Sequence, residues 1–183
     1  MIISAKEIYD NIDIQNIREN ILAIGGGELE IWKKTVISDT KLFNQLFQLI
    51  FSGDHRLAWR SCWIIDIASE ERPDLLSDKL SLIIGGFLST EDRSLKRHFT
   101  RILCRYQISE EDQGAIVNRS FELLAPSEPA AVRVFALQLL FNISLVVPDL
   151  KRELISVIES LMEEGASRGF INRSEKLLRK LRS

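Results

Sequence analysis

The feature that most limits what this chain can become is a repeat. An arginine inside a helix-compatible stretch recurs at Arg60, Arg97, Arg133 and Arg173, spaced 37, 36 and 40 residues apart. Around these positions the chain reads DHRLAWRSCWII, DRSLKRHFTRIL, EPAAVRVFALQL and RGFINRSEKLLR. The position two residues before the arginine is always apolar: Ala58, Leu95, Ala131 and Ile171. Two residues after it stand Cys62, Phe99, Phe135 and then Glu175, so the register weakens in the last copy. Self-similarity at such a period marks stacked supersecondary units, each unable to bury its apolar face alone.

A second helical run precedes each of these, starting at Asp39, Pro73, Ser109 and Pro148. Asp and Ser are good N-caps, and proline is favoured in a first helical turn, where its missing N–H is no loss. Seven residues in from each start lie Leu46, Leu80, Ile116 and Ile155, all apolar. Asp54, Thr90 with Glu91, and Ser127 fill the turns inside the first three pairs. The pattern predicts helices near 39–51 and 54–70, 73–88 and 90–106, 109–125 and 127–146, 148–164 and 167–181. These make four repeats, near 38–71, 72–107, 108–146 and 147–183, in one domain over 1–183. The first 37 residues stand outside the repeat. They predict an N-terminal cap of two helices, near 4–22 and 28–37, broken at Gly25-Gly26-Gly27, which would cover the first repeat's open face. The expected class is all-α: an α-α superhelix of about four helix pairs plus that cap.

Composition agrees. With 45% hydrophobic and 27% charged residues, 183 residues have length and apolar content for a real core. Only nine Gly and four Pro argue against a turn-rich β fold. The net charge of −2 gives no global field toward nucleic acid or anionic lipid. Two Cys and two His all but exclude a disulfide scaffold or an all-protein zinc site, and no metal or cofactor is expected. The N-terminus meets Lys6 and Glu7 before any apolar run, unlike a signal peptide, and no segment approaches the roughly 20 apolar residues of a membrane span. A cytoplasmic location and no membrane partner are expected.

The turn Asp followed by an apolar residue and an Arg, inside a period near 36, resembles HEAT and armadillo-type helical repeats. From about Leu42 to Leu181 the chain is similar to short bacterial HEAT-like proteins, on the stretches RSCWIIDIASEERPDLL, SLKRHFTRILCRY, PAAVRVFALQLLFN and NRSEKLLRKL. Some of these carry the name adenylosuccinate lyase. The lyase is a far longer chain, and nothing here matches its Ser-Ser-x-Met-Pro-x-Lys-x-Asn loop, so that activity is a remote alternative. The resemblance implies a HEAT/armadillo-like solenoid whose second helices line a concave binding face.

Candidate chemistry is sparse. The glycine triplet lacks the spacing and the following Lys-Ser/Thr of a phosphate cradle and reads as a helix break. Only His55 and His98 are available as imidazole bases, and His55 and Cys62, seven residues apart, stand about 10 Å from each other on a helix. No catalytic residue is assigned. The adjacent pairs Glu70-Glu71 and Glu163-Glu164 point about 100° apart and read as solvated helix ends.

The sharpest feature is Arg93, Arg97, Arg101 and Arg105 at i, i+4 spacing on a second helix. Like charges so placed destabilise an isolated helix, so something must offset them. Either acidic groups such as Asp66, Glu70, Asp74 or Asp78 pair with them, or an anionic partner does. Trp59 and Trp63, one turn apart beside Arg56 and Arg60, read mainly as core, with Trp59 the more exposed. Arg60, Arg97 and Arg133 resemble a structural ladder between repeats. The concave-face candidates are therefore Arg93, Arg97, Arg101, Arg105, Trp59 and Arg56. The expected function is a non-enzymatic scaffold for a protein or peptide. The alternative is binding of nucleic acid or a phosphate ligand through the Arg93–Arg105 stripe, in one form as a HEAT-like DNA glycosylase.

Overall fold

The computed structural model describes residues 14–25, 27–165 and 167–183. Among them the chain is all-helical, as the repeat requires. Its ten α-helices are α1 (Ile14–Ala23), α2 (Leu29–Ser38), α3 (Thr40–Leu49), α4 (His55–Glu71), α5 (Leu80–Ser89), α6 (Arg93–Leu103), α7 (Glu110–Glu122), α8 (Ala130–Ser144), α9 (Pro148–Glu163) and α10 (Arg168–Arg182). Part of the first cap helix expected near 4–22 lies outside the described residues, as does Gly26; Gly25 and Gly27 fall between α1 and α2, where the break was expected.

Helix starts follow local chemistry. The carboxylates of Asp39, Asp54 and Asp92 accept backbone N–H bonds of the first turns of α3, α4 and α6, which satisfies donors that have no partner within the helix. Thr90 and Glu91 thus stand before the cap of α6, and Asp92 makes it. Pro148 occupies the first turn of α9. Gly53 and Gly165 take positive φ, 79° and 86°, in the turns before α4 and after α9. The helix expected near 73–88 is corrected: it opens as a 3₁₀ turn, Pro73–Leu76, and becomes α-helical only at Leu80. The bonds Leu75 N–H to Arg72 O, Ser77 N–H to Asp74 O and Lys79 N–H to Leu76 O span three residues each, a tight winding that turns Leu76 into the core and leaves Ser77 and Asp78 outside.

The chain divides into two compact units, Met1–Leu80 and Ser81–Ser183. Each is built around one second helix of a pair. In the first, α4 packs against α1, α2 and α3, and buries Leu57, Ile64, Ile65 and Ala68. In the second, α8 packs against α6, α7, α9 and α10, and buries Val132, Ala136, Leu137, Leu139 and Leu140. A helix enclosed on several sides must be apolar nearly all round, and α8 is.

Candidate interaction surface

With four helices around it, α8 keeps only a narrow stripe near solvent. Ala131, Val134, Phe135, Gln138 and Asn142 are half-buried, and Leu145, just past the helix end, is 66% exposed. Except for the adjacent Val134 and Phe135, successive steps are three or four residues, which places them on one side of the helix. Polar contacts fix what flanks this stripe. Asn142 Nδ2 donates to the Cys104 carbonyl at the end of α6 (2.8 Å), and Cys104 Sγ donates to the Phe135 carbonyl (3.4 Å). On the other side Arg173 of α10 donates to Gln138 Oε1, and Lys180 Nζ stands 5.9 Å from the Phe141 ring. Gln138 in turn donates to Asn142 Oδ1 (2.5 Å). The second helices of three successive pairs therefore lie side by side as α6, α8, α10.

Charge is sorted by helix within this unit. The second helices α6, α8 and α10 hold eleven Lys and Arg and one acidic residue, Glu175. The first helices α5, α7 and α9 hold eight acidic residues and three basic ones. Glu175 lines a shallow cleft of about 640 Å³ with Met162 and Arg182, on the side of α10 toward α9 and away from α8. On the α8 side, Arg93 and Arg97 are exposed on α6, and Lys176 and Lys180 on α10. The result is a half-apolar stripe between two basic rails.

The turn edge of this unit holds a separate ion network. Lys96 Nζ lies 2.7 Å from both Glu128 Oε1 and Glu91 Oε2, with its side chain 6% exposed. Arg119 Nη2 binds Glu91 Oε1 (2.6 Å) and the Thr90 carbonyl (2.9 Å), and its Nη1 binds Glu122 Oε2 (2.8 Å). Burial alone would depress the Lys96 ammonium, but the bonds from Glu128 and Glu91 outweigh it and hold its pKa above the ordinary lysine value. Bonds from Lys96 and then Arg119 hold the Glu91 carboxyl below the usual carboxylate range. These groups tie the α5–α6 turn to α6, to α7 and to the α7–α8 turn.

The predicted residues are divided between the two units. In the arginine series Arg93 and Arg97 are exposed, whereas Arg101 and Arg105 are half-buried and already engaged within the protein. Asp74 pairs with Arg72 (2.6 Å) and Asp78 with Lys79 (2.7 Å). Arg56 and Trp59 belong to the first unit. Arg56 is exposed at the start of α4, while Trp59 and Trp63 are both half-buried and stack on each other, ring centroids 6.1 Å apart. The three ladder arginines occupy three environments. Arg60 Nη1 donates to the carbonyls of Ile21 (3.2 Å) and Ile24 (2.8 Å) at the end of α1, with its guanidinium 5.0 Å from the Trp59 ring. Arg133 is buried, donates from Nε to the Leu124 carbonyl (2.9 Å) past the end of α7, and lies 4.5 Å from the Phe170 ring. Arg97 faces solvent.

Cys62 is fully buried and Glu70, Glu71, Glu163 and Glu164 are all exposed. Among the described residues no group of His, Cys, Asp and Glu could hold a metal, and no helix is long and apolar enough to cross a membrane. Sequence reasoning missed the second rail, Lys176 and Lys180, and the Lys96–Glu128 pair. Counting charge separately for first and second helices would have found the rail.

The family model described as a HEAT repeat domain matches residues 24–181, most of the chain and every helix pair above. The chain belongs to the HEAT repeat family. No curated protein and no solved structure matches it. Family membership for this HEAT repeat chain accounts for the paired helices and carries no reaction with it.

Proposed function

We propose that this HEAT repeat protein is a non-enzymatic interaction scaffold that takes a protein or peptide partner on the second-helix face of its C-terminal unit. Repeat proteins of this kind bind through extended surfaces that neighbouring repeats build together. The observation that carries the reading is the sorting of charge: eleven basic residues and one acidic on α6, α8 and α10, in a chain whose net charge is −2. Part of this set is structural, since Lys96 sits in the ion network, Arg133 is buried on the Leu124 carbonyl and Arg182 pairs with Glu159, but Arg93, Arg97, Lys176 and Lys180 are exposed and lie outside that network. Exposed cations on both edges of one face favour encounter with a negatively charged surface.

The same face supports a second reading, a nucleic acid or phosphate ligand. Its base-excision form would need Trp59, Trp63 and Asp66 to serve as the Trp and Asp that some HEAT-like DNA glycosylases use, and is weakened because Asp66 is fully buried and the Trp59 ring is stacked on Trp63. The test is capture from the native host's lysate with the full chain as bait, with and without nuclease. Arg93→Glu/Arg97→Glu serves as the paired control. A nuclease-resistant protein that is retained by the parent chain and lost with the variant is expected. Partners that vanish with nuclease would replace the scaffold reading by the nucleic-acid one.

A further inference from the structure

The second-helix face is more than basic; it has an apolar centre and two charged edges, and this layout constrains what fits. Ala131, Val134 and Phe135 offer apolar surface along α8, and no cation interrupts them, because the Arg133 guanidinium turns inward to the Leu124 carbonyl. Packed helices lie about 8–10 Å apart, which sets the axes of α6 and α10 about 16–20 Å apart across α8. Arg93 and Arg97 stand exposed on one edge, Lys176 and Lys180 on the other. An α-helix about 10–12 Å across, side chains included, fits between them.

We infer that the face binds an acidic amphipathic helix of a partner protein, its apolar ridge on Val134 and Phe135. Carboxylates on one flank of that helix meet Arg93 and Arg97, and those on the other meet Lys176 and Lys180. The fifteen residues of α8 span about 22 Å, so about four turns of the partner are engaged. The apolar centre is what favours a helix over nucleic acid. Phosphates and sugars leave Val134 and Phe135 without an apolar partner, whereas a Leu or Ile ridge removes both surfaces from water. Gln138 and Asn142 at the stripe's far end are bonded to Arg173, to each other and to the Cys104 carbonyl, so they add polar surface without an unpaired demand.

This inference rests on the scaffold reading, and fluorescence anisotropy on the full chain tests it separately. The probes are a labelled 16-residue peptide with Leu at i, i+3, i+4 and i+7 spacing and Glu elsewhere, a scramble of the same composition, and single-stranded and duplex DNA of matching length. Binding of the amphipathic peptide is expected, with the scramble at least about ten-fold weaker. Arg97→Glu/Lys176→Glu is expected to weaken it about ten-fold at unchanged circular dichroism and melting temperature, and Val134→Asp to do the same from the apolar side. Equal affinity for the scramble, or indifference to both variants, overturns the inference. So does tighter binding of DNA, with log K falling about 0.7–0.9 per phosphate contact per unit of log salt. If no peptide binds but a host protein is still captured through this face, the helix inference fails and the scaffold stands. If neither depends on the face, both fail.

Discussion

Helices α4 and α8 hold the same office in their two units and present different faces. Each is the second helix of its pair, each is enclosed by its neighbours, and each turns an arginine onto a carbonyl past the end of another helix, Ile24 O and Leu124 O. Yet the near-solvent side of α4 carries Trp59, Trp63 and Ile67 beside Arg56, whereas that of α8 carries small, apolar and amide groups between two basic helices. The arginines differ likewise. Arg60 is half-exposed beside a tryptophan, and Arg133 is sealed under Phe170. The shared part, a guanidinium on helix-end carbonyls, belongs to the architecture, since those carbonyls lack intrahelical donors. The face above it is free to vary between repeats, and the proposed binding surface is placed there.

The comparison can be broken in order of expected effect. Lys96→Met in the α8 unit removes a nearly buried ammonium and leaves Glu128 uncompensated, so a loss of about 3 kcal/mol is expected by chemical denaturation. Arg133→Ala should cost about 2–3 kcal/mol, for the lost hydrogen bond, the ring contact and the space left under Phe170. Arg60→Ala, with water able to reach the freed carbonyls, should cost about 1–2 kcal/mol. Equal losses for the two arginines would erase the distinction between the units. Asp54→Ala and Asp92→Ala should each cost about 1 kcal/mol as lost N-caps. Smallest of all, Arg93→Glu/Arg97→Glu should leave stability within about 0.5 kcal/mol, because those side chains are exposed.

The ion network adds a pH dependence to the α8 unit. The Glu91 carboxyl is held low by Lys96 and Arg119, so its contribution is complete above the ordinary glutamate pKa of about 4.3 and fades as pH falls through the depressed folded value. The Lys96 ammonium, held high, contributes fully below about 10.4 and loses that contribution as pH rises through its raised value. Glu91→Gln should therefore flatten the acid limb of a melting-temperature profile while leaving the shape near neutrality unchanged.

Much of the fold was legible in the sequence because helix starts are local events. Asp54 and Pro148 mark starts by their own chemistry, and Leu46, Ile116 and the apolar runs around Arg133 fix which sides turn inward. The site was less legible. Spacings of 37 and 36 residues look like one repeated position, but a slip of a single residue rotates a side chain by about 100°, and turn lengths vary between pairs. Hence Arg60, Arg97 and Arg133 share a register in the sequence and stand in three different local environments. The Lys96–Glu128 pair joins residues 32 apart and needs the turn geometry before it can be seen. The rail on α10 was hidden differently: only its packing on α8 shows that Lys176 and Lys180 flank the same stripe as Arg97.

The most direct test of the central claim is chemical footprinting of the full chain with its captured partner bound, reading lysine acetylation and aromatic oxidation in one sample. The account predicts that Lys176 and Lys180 become protected while Trp59 and Trp63 react as in the free protein. Protection of the tryptophans with both lysines still reactive would contradict it and move the binding surface to α4.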